Sequence, residues 1–135
     1  MQDRPDMREL VEAVAGFLER EIIPTLADPR LRFRGLIAAN VLGIVARELA
    51  AGDAGLRAEW TALAALLGQP AADPPCGEAA LGETVGMLNR ALCARIRAGD
   101  ADSGPWADAV FAHTQAMVIA KLQIANPRYL ERVLR

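Results

Sequence analysis

The stretch "GLIAANVLGIVA", Gly35 to Ala46, is apolar over twelve residues apart from one amide, Asn40. A bilayer takes about 18–20 such residues, so the run predicts a buried helix of a globular protein. A buried amide has to find a partner, because stranding it costs ~1–3 kcal/mol. Backbone carbonyls within a helix are already engaged, so the expected partner of Asn40 is non-local. The candidates are trapped water or a later helix around His113, which Gly43 would allow to approach closely.

On either side the chain is read by the spacing of its apolar residues. Leu10, Val14, Phe17 or Leu18, and Ile22 recur at helical intervals, with Asp6 and Glu9 as a capping box and Pro24 at the end. Asp28-Pro29 reads as an N-cap and first helical residue, opening a helix whose body runs from about Leu31 to Ala51 and stops at Gly52. A third helix carries Leu56, Trp60, Leu63 and Leu67 and ends at Gly68. "GQPAADPPCG", with three prolines and two glycines, is a loop. The fourth helix, Glu78 to Ala98, aligns Leu81, Val85, Leu88, Leu92 and Ile96. The fifth starts near Pro105 and places Trp106, Val110, His113, Met117 and Ile124 on one side. A short last helix follows, with Asn126 as its structural cap and Pro127 at its first position.

No stretch alternates with the period of a strand. Alanine and leucine dominate and aromatics make up only 4%, which favours helix over sheet. The expected fold is all-α: a single-domain bundle over residues 1–135, of about five main helices plus a short C-terminal one.

The charge balance limits the function classes. A net charge of −2 supplies no general attraction to nucleic acid or anionic lipid, and no helix is a basic recognition helix. The single histidine and two dissimilar cysteines, Cys76 and Cys93, make no metal-ligand pattern, and Cys93 reads as a small core residue. No glycine-rich phosphate loop or paired nucleophile and base is visible, so no catalytic residue, metal or cofactor is expected. The N-terminus is charged from Asp3 onward and has no signal-peptide core, so the expected location is the cytoplasm, with reduced thiols.

Some polar residues could still form a ligand site. Arg30, Arg32 and Arg34 bring positive charge to a helix N-terminus, where it is unfavourable. Either the nearby Glu19, Glu21 and Asp28 offset it as surface ion pairs, or an anionic ligand or an acidic protein patch does. Arg32, Arg34, Asn40, His113 and Lys121 are the residues that would hold such a ligand.

Several stretches together, "ELVEAVAGFLEREIIPTL", "RLRFRGLIAANVLGIVARELA", "LNRALCARIRAGD" and "AKLQIANPRYL", resemble a bacterial domain-of-unknown-function family. The resemblance implies a small helical protein often encoded beside phosphotransferase-like proteins and acyl-CoA dehydrogenases. It implies no catalytic residues. The expected function is therefore a non-enzymatic accessory or protein-interaction module linked to that metabolism. The alternative is a helical bundle that binds or converts an anionic metabolite. The helices carry wide apolar faces for so short a chain, which points to a homodimer or a hetero-complex with a neighbouring-gene enzyme.

Overall fold

The computed structural model describes residues 4–70 and 73–133. Residues 71 and 72 of the expected loop, and the charged start at Asp3, lie outside them. The described residues form six α-helices and no strand: α1 (Met7–Phe17), α2 (Pro29–Ala51), α3 (Ala54–Leu66), α4 (Glu78–Arg97), α5 (Pro105–Ala125) and α6 (Pro127–Val133). The fold is all-α, as composition and periodicity predict. The chain forms two compact units: residues up to Gly52 with Ile124–Asn126, and Asp53–Gln123 with the residues from Pro127 on.

The first unit is built on a helical hairpin. Asp6 opens α1 with a full capping box: its carboxylate accepts from the Glu9 amide, and the Glu9 carboxylate accepts from the Asp6 amide, both at 2.8 Å. Past Phe17 the helix widens into a π-turn, Leu18–Ile22, and then tightens into a 3-10 turn, Ile23–Thr25. Pro24 lies inside that tight turn, where its missing N–H ends the α-helical ladder. Asp28 caps α2 by accepting from the Arg30 amide at 2.8 Å, with Pro29 as first helical residue.

The hairpin closes through small residues. Gly35, Ala39, Leu42 and Ala46 recur at 4-3-4 spacing on α2, and Ala39 and Ala46 are buried. A methyl group on Gly35 would lie 2.9 Å from Cγ1 of the buried Ile23. The opposite flanks of both helices stay open. Leu10, Val14 and Phe17, expected to face the interior, are exposed, while Val11, Ala15, Leu18 and Ile22 are partly covered.

Asn40 is also exposed, and its side chain has no hydrogen-bond partner among the described residues. The expectation of a buried, non-locally bonded amide is therefore corrected. Its physical basis is plain: α2 is apolar nearly all round, but only its small-residue side is covered. The far end of α2 is tied down elsewhere, where Arg47 Nε donates to the Ile124 carbonyl at 2.6 Å.

The second unit has a conventional core. Leu63 and Leu81 are fully buried, joined by Val85, Leu88, Leu92 and Val110, with Leu56, Trp60 and Trp106 packed around them. Cys93, by contrast, is exposed rather than part of this core, because Leu92 takes the inward position on that turn. Both cysteines are free thiols. α3 and α4 end at Gly68 and Gly99, whose φ values of 68° and 92° suit glycine and turn the chain sharply. At the start of α3, a hydrogen bond from Arg57 holds the Asp53 carboxyl below the usual carboxylate range. α6 begins directly after Asn126, the position expected for its cap.

Two substitutions separate the covered side of α2 from its open sides. Gly35→Ala lowers the melting temperature, because ~1–3 kcal/mol of overpacking against Ile23 exceeds the ~1 kcal/mol of helix propensity that alanine brings. Asn40→Ala shifts stability by no more than about 0.5 kcal/mol. A stabilised Gly35→Ala or a strongly destabilised Asn40→Ala in urea denaturation contradicts this packing.

Candidate functional site

The most unusual polar feature of the second unit is a carboxylate inside it. Glu59 is the buried charged residue among the described ones, at 7% exposure. It falls between Leu56 and Leu63 on α3, at 3-4 spacing, and so shares the side of the helix that enters the core. A carboxylate taken from water needs compensation, and two other helices supply it. From α4, Asn89 Nδ2 donates to Glu59 Oε1 at 2.9 Å. From α5, Lys121 Nζ lies 3.6 Å from the same oxygen.

These two partners are unequal. The Lys121 side chain is 69% exposed, so its attraction is screened by solvent. Asn89 is half-buried and makes a charge-assisted hydrogen bond at full strength. The cluster ties α3, α4 and α5 together through a single oxygen atom. Trp106 adds a second tie, with Nε1 donating to the Leu66 carbonyl at 3.0 Å while the Arg95 guanidinium sits 4.0 Å above its ring. Chemically, the Glu59 group is an anchored acceptor oriented by its neighbours on two other helices. No set of three or more His, Cys, Asp or Glu side chains among the described residues could hold a metal ion.

The residues proposed from sequence for a ligand are divided between the units. Arg32, Arg34 and Asn40 belong to the first; His113 and Lys121 belong to the second. Arg32 and Arg34 are two residues apart on α2, about 200° around the helix, and so leave it on opposite sides. Both are exposed, and neither has an ion-pair partner among the described residues. The expected surface pairs from Glu19, Glu21 and Asp28 to these arginines do not form; the Asp28 carboxylate is spent on the α2 cap. His113 is half-buried, one turn beyond the buried Val110. Lys121 is the one proposed residue engaged with another charge, Glu59.

Glu59 itself escapes a reading based on Leu56, Trp60, Leu63 and Leu67 alone. The signal is in the spacing: position 59 is on the same stripe, and a charge on an apolar stripe is either exposed at its edge or paired within it.

Removing each partner of Glu59 ranks their contributions. Asn89→Leu costs about 1.5–3 kcal/mol, the range for a hydrogen bond to a charged group, whereas Lys121→Met costs about 0–1 kcal/mol. Chemical denaturation of the two variants checks the order, and a larger loss from Lys121→Met would reverse the roles assigned to them.

No curated protein and no solved structure matches this chain. One family model does, the Domain of unknown function (DUF6285), over residues 24–129, from the 3-10 turn after α1 into α6. With most of its length matched by that model, and with an all-α fold, the chain belongs to the DUF6285 family.

Proposed function

We propose that the protein is a non-enzymatic accessory module that works by docking onto other protein surfaces in the cytoplasm. One observation carries this reading. Met7, Leu10, Val14 and Phe17 form a continuous stripe on α1 at 3-4-3 spacing, and each is 46–70% exposed. Helix seams of this spacing ordinarily meet another helix. Exposed apolar patches of this kind mark interaction surfaces more often than they are left idle. The partners proposed are a second copy of the chain, or an enzyme encoded alongside it of the phosphotransferase or acyl-CoA dehydrogenase type.

A second reading, a site for an anionic metabolite, draws on Arg32 and Arg34, whose charges have no ion-pair partner among the described residues. It has less support, because the two guanidinium groups leave α2 on opposite sides.

The docking reading is tested by Val14→Glu combined with Phe17→Glu. Both positions are exposed, so each change shifts folding stability by about 0.5 kcal/mol or less. Light scattering of the protein mixed with enzymes of the two classes should show a complex for the parent chain that the double variant loses. A parent chain that joins neither itself nor either enzyme would rule the reading out.

A further inference from the structure

The open side of α2 carries a pattern of its own. Val41 is two residues past the buried Ala39, about 200° around the helix, and therefore faces away from α1. Around it, Arg34, Ile37, Val41, Val45 and Glu48 follow at spacings of 3, 4, 4 and 3, which keeps all five on one stripe. Ile37, Val41 and Val45 are 48%, 49% and 40% exposed. Arg34 and Glu48 are exposed at the two ends, and neither has an ion-pair partner among the described residues.

The stripe is palindromic. Arg34 and Glu48 stand seven residues either side of Val41, about 10 Å along the axis, with opposite charges. They cannot pair within one chain, being some 21 Å apart along the helix. An antiparallel copy of the same helix reverses the order. With a two-fold axis at Val41, Arg34 meets Glu48 of the partner copy and Glu48 meets its Arg34. Ile37 then covers Val45 of the other copy, and Val41 packs on Val41.

Resting on the docking reading above, we infer that this face of α2 is an isologous dimer interface and that its occupant is a second copy of the chain. An isologous contact requires a surface complementary to itself, and this stripe is so in charge and in apolar register together. An unrelated partner would have no reason to match a pattern symmetric about Val41. Charges at the ends of such a seam choose partner and orientation, here antiparallel.

A charge-swap series tests this on the full chain. Sedimentation over a dilution series gives dimer dissociation constants for the parent, Arg34→Glu, Glu48→Arg and the double swap. Each single change creates two like-charge pairs across the two-fold axis and should weaken the dimer about ten-fold or more. The double swap should return it to within about three-fold of the parent. Circular dichroism verifies that each variant keeps its helix content. A monomeric parent, single variants that dimerise normally, or a double swap no tighter than the singles overturns the inference. A dimer insensitive to the swaps but abolished by Val14→Glu with Phe17→Glu overturns it as well, while leaving the docking reading intact. So does a chain that binds one of the enzymes without binding itself.

Discussion

The contact between Ile23 and Gly35 decides how the first unit is built. The 3-10 turn delivers Ile23 onto α2 at a point where even a methyl group would lie 2.9 Å from it. That close approach selects the side of α2 with the smallest residues, Gly35, Ala39 and Ala46, as the one the hairpin covers. The larger side chains are left outside as a consequence. α2 is thus amphipathic by size rather than by polarity, with a tightly packed small-residue side and an open side of branched residues. A helix of this kind gains close packing from one neighbour and still keeps apolar surface for another.

The second unit solves the burial problem in the ordinary way. Its leucines and valines line up on α3 and α4 and meet Val110 of α5 in one core, and of the expected α4 stripe only Ile96, at its end, is left exposed. One polar group enters that interior, and three helices converge on it. Burying Glu59 without Asn89 would leave a desolvated charge, which makes their hydrogen bond a condition on how α3 and α4 align. The two units therefore differ in what they leave available. The first displays apolar side chains of both its long helices, whereas the second buries most of the α3 and α4 stripes and leaves Phe111 and Val118 of α5 exposed.

Much of this was legible in the sequence where local chemistry decides the outcome. The Asp6–Glu9 box, the Asp28-Pro29 start and the glycines at 52, 68 and 99 act through backbone groups a few residues away, so their signals are short and specific. The core stripes of α3 and α4 are legible because they have only one apolar side to bury. α1 and α2 are harder, since each offers two candidate sides. There the leucine and valine positions suggest the interior, whereas the close packing follows glycine and alanine. Asn40 departs from the sequence expectation for the same reason: apolar neighbours along a helix mean enclosure only where another element covers them, and none covers Asn40. Glu59 is not legible from its own helix because its partners, Asn89 and Lys121, lie 30 and 62 residues further along. The role of Arg32, Arg34 and His113 depends on what meets their side chains, which spacing along one helix does not encode.

The division of α2 into a packed side and a docking side can be probed with single thiols. In a chain carrying Cys76→Ser and Cys93→Ser, Ala39→Cys and Val41→Cys place a thiol on each side in turn. Helix axes ~8–10 Å apart, each with Cα atoms ~2.3 Å from its axis, bring facing Cα atoms within disulfide reach at a two-fold axis. Mild oxidation followed by non-reducing electrophoresis should convert the Val41→Cys chain to a covalent dimer. The Ala39→Cys chain should stay monomeric on the gel and resist thiol reagents until unfolded. Rapid labelling or cross-linking of Ala39→Cys, with Val41→Cys remaining single-chain, would contradict the account.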